Sequence, residues 1–280
     1  MKLYYNPNYY GKDTIIEYVF AISILMSLSF YLSWLLVPII IPRFKNNQKD
    51  VNNNNLDVSS YKHGKGRLSI ADLIHHQIYL IPLNYLCFLG TYQLYGNFES
   101  RWYGKTWESY MAIIVYISGN LIHIPITLMK EGTLSYRIQM LTHHFISITS
   151  FSYSLYNENI LYFSCLMACC ELSTLFLNQS FLLKEYTKSP LILAINGICL
   201  WLSFIFLRLV LFPYVIYAYI NDYRYNLEDK SKHTIYIVCS NTIVCSILIL
   251  LSLFWMKNVT RGMIKVTKMC LKDFKLIKND

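Results

Sequence analysis

Apolar residues along this chain come in long runs rather than in alternation. Seven segments, at about 14–41, 70–95, 108–129, 136–156, 158–183, 190–220 and 234–256, each hold the roughly 20 or more mostly apolar residues that a helix needs to cross a hydrocarbon core. Continuous stretches such as Ile39-Ile40-Ile41 and Ile247-Leu248-Ile249-Leu250-Leu251 lack the two-residue rhythm of a barrel strand. Backbone groups surrounded by lipid must pair within their own segment, so the pattern predicts helices. The expected fold is all-α: a polytopic membrane helical bundle of about seven transmembrane helices. Two boundaries are narrow or odd. Only Tyr156, Asn157 and Glu158 separate the fourth and fifth segments, and the sixth is overlong.

Composition agrees with the pattern, since 55% of residues are hydrophobic and only 15% are charged. The first segment is far longer than the core of a signal peptide and lacks a small-residue cleavage site, so it is expected to remain as an anchor. Seventeen basic residues fall on one side of the seven-segment threading and seven on the other, with Arg208 left inside a segment. By the positive-inside rule the C-terminus is expected in the cytosol. The formal net charge of +9 is then accounted for by topology and lipid contact, and no nucleic-acid partner is expected.

These features divide the chain into an N-terminal segment with the first helix (1–41), a basic cytosolic loop (42–64), a six-helix domain (65–257) and a basic tail (258–280). The loop, with its Asn52–Asn55 run, has too little apolar content to order itself. Cations in the tail recur every three or four residues beside an apolar stripe of Val259, Met263, Val266 and Cys270. Such a helix suits the anionic lipid headgroups of a cytosolic leaflet; the alternative is a solvated positive tail that only enforces topology. Seven of the eight cysteines lie within apolar segments and none forms a Cys-x-x-Cys pair, so free thiols are expected.

Ionisable residues inside the apolar segments carry the candidate chemistry. His75 and His76 come soon after the start of the second segment, His123 shortly before the end of the third, and His143 and His144 soon after the start of the fourth. At about 1.5 Å rise per residue, all five fall roughly 8 to 12 Å inside one membrane face. Neighbouring residues on a helix point about 100° apart, so at most one ring per helix is expected to face a shared centre. Imidazole titrates near neutrality and serves as a general base or nucleophile, and this reading is preferred to a metal site. Taken singly, each ring can equally be a structural one that hydrogen-bonds a helix backbone. Glu171 lies midway along the fifth segment, with Thr174 and Asn178 on the same face, and Arg208 of the sixth segment is its expected ion-pair partner. That pair either fixes helix register or forms the polar floor of a cavity.

These residues also carry a resemblance. Thr142-His143-His144-Phe145, then Glu171-Leu172-Ser173-Thr174-Leu175-Phe176-Leu177-Asn178, then Asn196-Gly197 and Phe206-Leu207-Arg208, resemble the TLC-domain family over about residues 65–257. That family includes the ceramide synthases and a set of smaller TLC-domain-containing proteins linked to lipid homeostasis, and this chain resembles the smaller proteins more. The aspartates that ceramide synthases carry in the span after the paired histidines are replaced here by Cys169-Cys170-Glu171-Leu172-Ser173-Thr174. Leu175 stands where proline is usual, and Ile124 stands where aspartate usually follows the histidine of the third span.

The resemblance implies six helices around a central lipid-accessible cavity plus one N-terminal helix, in the endoplasmic reticulum or a connected membrane. It implies a protein that binds or handles membrane lipids and influences lipid composition. The alternative is an acyl-CoA-dependent N-acyltransferase of the ceramide synthase type, with a sphingoid base as acceptor. In that case His143, His144 and Glu171 are the catalytic residues, while His123, His75, His76, Thr174, Asn178, Asn196 and Arg208 line the lipid cavity. No metal or resident cofactor is expected, acyl-CoA being a co-substrate under the alternative. A transporter is disfavoured because no repeat relates the two halves.

Overall fold

Long apolar runs without internal charge give long helices here, and every regular element among the described residues is helical. The computed structural model describes residues 12–45, 67–129, 133–186, 189–225 and 232–277. In chain order the helices are α1 (Lys12–Lys45), α2 (Arg67–Leu94), the short α3 (Phe98–Tyr103), α4 (Trp107–Met129), α5 (Leu134–Asn157), α6 (Leu161–Ala168), α7 (Glu171–Tyr186), α8 (Pro190–Phe204), α9 (Leu211–Tyr225) and α10 (Lys232–Ile277). A turn at Cys169–Cys170 joins α6 to α7, and a π-helical stretch, Ile205–Val210, joins α8 to α9. The overlong sixth segment is thus one rod carrying a π-helix at its middle.

Five stretches are long and apolar enough to cross a membrane: Thr14–Leu36, Trp107–Met129, Leu161–Lys184, Pro190–Tyr225 and Thr234–Leu271. The protein is an integral multi-pass membrane protein. The expected number of seven is not reached on these grounds. α2 and α5 are long enough, at 28 and 24 residues, but they carry four of the five interior histidines, and those polar residues lower their hydropathy.

The core groups side chains of α2, α4, α6 and α9, among them Leu80, Leu83, Ile113, Phe163, Phe212 and Tyr219, all with almost no exposed surface. α2 and α4 approach closely because Gly90 lies against the Ser109 backbone and Gly119 lies under the Tyr79 ring, where a Cβ would come within 3.0 and 2.9 Å respectively. The first helix is part of the bundle: Ser118 of α4 donates to the Val19 carbonyl at 3.2 Å, and Ser29 reaches His75 of α2. Most of the basic loop at 42–64 lies outside the described residues. The tail also differs from an independent surface helix. It continues α10 without a break, and Thr260 and Val266 pack against Trp201 and Gly197 of α8.

At the end of the bundle away from the histidines, α5 turns directly into α6. Glu158 and Ile160 adopt left-handed conformations, with φ of 52° and 53°. The turn is held by the Ile160 N–H donating to the Trp102 carbonyl at 2.7 Å and by an ion pair between Glu158 and Lys105. Beside it the buried Asp222 of α9 accepts from Arg101 Nε and Nη2 and from Trp102 Nε1.

Candidate functional site

Three helices, α2, α4 and α5, bring the histidines together. In α4, His123 lies six residues from the helix end and two before Pro125, and its ring is the hub. It stacks on His76 of α2 at 3.7 Å between ring centroids, lies 5.8 Å from His75, and faces His144 of α5 at 6.0 Å. His144 in turn is 5.6 Å from His143. The five rings therefore form one continuous layer. Both histidines of α2 reach His123, which corrects the expectation of one inward ring per helix. Although their Cβ atoms diverge by about 100°, α4 lies close enough for a ring on each flank to touch the same neighbour.

Two carboxylates end this layer. Asp72 Oδ1 lies 3.1 Å from His123 Nδ1, with both side chains 3% exposed. A carboxylate only accepts, so His123 carries its proton on Nδ1 when neutral, and Nε2 holds the lone pair. That Nε2 is buried without a hydrogen-bond partner. At the other end Glu171 Oε1 lies 3.8 Å from His143 Nε2 and accepts from Tyr116 Oη at 3.4 Å. The other ring nitrogen, His143 Nδ1, is also buried without a partner. At 3.8 Å the His143–Glu171 contact is an ion-pair distance rather than a hydrogen bond, and a small side-chain motion closes it.

Between the two pairs, His144 Nδ1 meets Asn120 Oδ1 at 2.5 Å. Asn120 donates its amide to the Tyr116 carbonyl, which leaves Oδ1 as acceptor and makes His144 Nδ1 the donor. His123, His143 and His144 thus each face an acceptor. Beside His143 lies a cavity of about 20 Å³, lined by Tyr116, Ser147, Phe151, Met167 and Leu248 among others. It has room for about one water molecule.

Arg208 makes no direct ion-pair contact with Glu171, contrary to expectation, although its charge acts on that carboxylate. It sits in the π-helix, donates from Nε to Ser173 Oγ at 2.8 Å and from Nη2 to Thr174 Oγ1 at 3.0 Å, and lies over the rings of Phe204 and Trp255. The π-helical step shifts residue 208 by a fraction of a turn from the straight-helix register. The extra residue aims the guanidinium at the hydroxyls that follow Glu171. Trp255 bridges the two groups, since His143 meets its ring edge-on at 6.1 Å. Of the remaining expected cavity residues, Thr174 serves as the Arg208 acceptor. Asn178 is buried with its amide nitrogen unpartnered, and it makes no recorded contact with the histidines. Asn196 clamps α8 to α7, donating to the Phe176 carbonyl and to Ser180 Oγ.

Sequence reasoning missed Asp72, Asn120, Tyr79 and Tyr116. Asp72 had a legible signal, because it precedes His76 by four residues and so shares its helix face. It also changes the meaning of Ile124. The carboxylate on His123 comes from a neighbouring helix instead of the adjacent position.

A helical membrane bundle with an interior imidazole and carboxylate layer is the class this architecture defines. The TLC domain family matches residues 69–261, and the chain belongs to that family. Among characterised relatives it is similar to TLC domain-containing protein 4 of Xenopus tropicalis, 26% identical over 179 residues. That alignment covers 61% of this chain and 66% of the relative, just under two thirds of its length. No solved structure matches the chain.

Proposed function

We propose that this TLC-domain chain handles membrane lipid and acts on it at His143 and Glu171. The observation that supports the reading is the imidazole beside a buried carboxylate, with its Nδ1 unpartnered in the membrane interior, next to a small cavity. Burying ionisable groups there is costly, and packing alone would be served as well by apolar residues. Endoplasmic reticulum or connected membranes are the proposed location, with the C-terminus in the cytosol and the basic end of α10 near anionic headgroups.

The His143–Glu171 pair also favours a second reading, N-acyl transfer from acyl-CoA to a sphingoid base. In that reaction the ring nitrogen accepts the proton of the amine as nitrogen attacks the thioester carbonyl. The N–C bond forms, the C–S bond breaks, and the departing thiolate receives the proton.

Mass spectrometry of lipids retained by the purified full chain tests the first reading. A defined lipid class should co-purify with the wild type and be depleted in His143→Ala at equal protein yield. Lipids identical to those carried by an unrelated membrane protein would overturn it. Labelled acyl-CoA with a sphingoid base tests the second reading, which predicts ceramide formation that His143→Ala abolishes.

A further inference from the structure

The Asp72 end of the layer has a different composition from the Glu171 end. Asp72 and His76 share one face of α2, and His123 meets them from α4. The donor atoms of all three lie within 4.8 Å of one another. Asp72 and His123 are almost fully buried, and His76 is half-buried at their margin. A second observation concerns the neighbouring rings. The Nε2 atoms of His75 and His123 are both buried without a hydrogen-bond partner. Two buried imidazole nitrogens without a partner thus stand near a buried carboxylate.

We propose that Asp72, His76 and His123 bind a divalent transition-metal cation of the Zn²⁺ class. The donor set argues for this class, since two imidazoles and one carboxylate suit borderline first-row ions, whereas Ca²⁺ and Mg²⁺ require oxygen ligands. Neighbouring ligands around a tetrahedral Zn²⁺ stand roughly 3.4 Å apart, given bond lengths of about 2.0–2.2 Å. Contraction of about 1.4 Å at most from the present spacing is enough. The ion enters beside the Asp72–His123 contact, and the His76 ring turns from its stacked position to present an edge. Because His76 is half-buried, it is both the movable ligand and the side of entry. Three protein ligands leave a fourth position for water or a lipid oxygen. The site stands on its own residues and does not depend on acyl chemistry at His143.

The test is metal content of the full-length chain, purified in detergent with a tag that contains no histidine, loaded with Zn²⁺ and dialysed before elemental analysis. About one equivalent per chain is expected. Asp72→Asn and His123→Gln should each lower retention at least tenfold, while His143→Gln should leave it unchanged. Co²⁺ substitution gives an independent readout on the unmutated protein, where visible absorption bands of a four-coordinate nitrogen and oxygen site are expected. Negligible Zn²⁺ retention by the wild type, or retention that is equal in all three variants, overturns the proposal. If the Asp72 and His123 variants fail to fold, the wild-type Co²⁺ spectrum decides: absence of those bands rejects the site. None of these readouts involves lipid turnover, so failure here and failure of the acyl-transfer reading are distinguishable.

Discussion

Removing the Asp222 carboxylate tests how the end of the bundle opposite the histidines is held. Its side chain is 2% exposed and accepts three hydrogen bonds: from Arg101 Nη2 at 2.6 Å, Arg101 Nε at 3.1 Å and Trp102 Nε1 at 3.0 Å. Breaking a buried ion pair by deleting one partner costs about 3–5 kcal/mol. The Arg101 side chain is 22% exposed and regains some water, which brings its share down to about 2 kcal/mol. Trp102 is buried, and its stranded N–H adds about 1 kcal/mol or more. Asp222→Ala is therefore expected to destabilise the fold by about 3 kcal/mol. At about 2–4 °C per kcal/mol for a chain of this general size, the melting temperature falls by about 6–12 °C.

Heating the full chain in detergent and measuring the monodisperse fraction by size-exclusion chromatography reads that shift. A paired Arg101→Leu, Asp222→Leu variant should recover most of it, because removing both charges leaves neither one buried alone. The hydrogen bond to Asp222 raises the Arg101 guanidinium above its ordinary range. A raised folded-state value means that the stabilisation is complete at lower pH and is lost only as pH climbs through the arginine range. The deficit of Asp222→Ala should accordingly be the same at pH 6 and pH 9. A fall of less than about 2 °C, or a deficit that vanishes at pH 9, would refute the clamp.

Three further outcomes follow from the packing. Gly90→Ala puts a Cβ 3.0 Å from both Cys165 Sγ and the Ser109 backbone, so overpacking of about 1–3 kcal/mol should appear as a lower melting temperature, and no change would mean that α2, α4 and α6 are spaced more loosely. Arg208→Met removes the donors to Ser173 and Thr174; at about 1.5–3 kcal/mol for charged hydrogen bonds, it should cost several degrees, while Glu171→Gln should leave Arg208 and its two hydroxyl partners in place, as read by stability in the double variant. Glu158→Gly relieves a left-handed conformation worth about 1–2 kcal/mol while losing a part-exposed ion pair worth about 0–1 kcal/mol, so melting should stay level or rise, and a drop beyond about 5 °C would show that the Lys105 contact dominates the turn.

What the sequence made legible follows from contrast. Histidines within apolar runs stand out, and helical rise alone places His75, His123 and His143 at one level, where the structure joins them. Side-chain partners across helices are less legible. Glu171 and Arg208 looked like a pair because they are the obvious opposite charges of adjacent segments, but the π-helix at Ile205–Val210 aims the guanidinium elsewhere. No run of apolar residues announces such a step. Asp72 sits two residues inside the second segment, and only the packing of α4 against α2 shows that it is 2% exposed. The tail adds a partner that its amphipathic stripe does not name: Val266 and Thr260 meet Gly197 and Trp201 of α8.

The polarity of α2 and α5 has a structural consequence of its own. These two helices supply Asp72, His75, His76, His143 and His144, and they are the two long rods whose composition falls short of a membrane span. Hydrophobic transfer alone would not hold them in lipid. They are held by neighbours: α1 and α4 cover α2, while α4 and α10 lie against α5, through Ser29, Asn120, His123 and Trp255. The same contacts that compensate for the polar residues fix their rings and tautomers. Stability of the bundle and orientation of the histidine layer are therefore one property. Substitutions at Asn120 or Trp255, which bear no charge, are placed to disturb both.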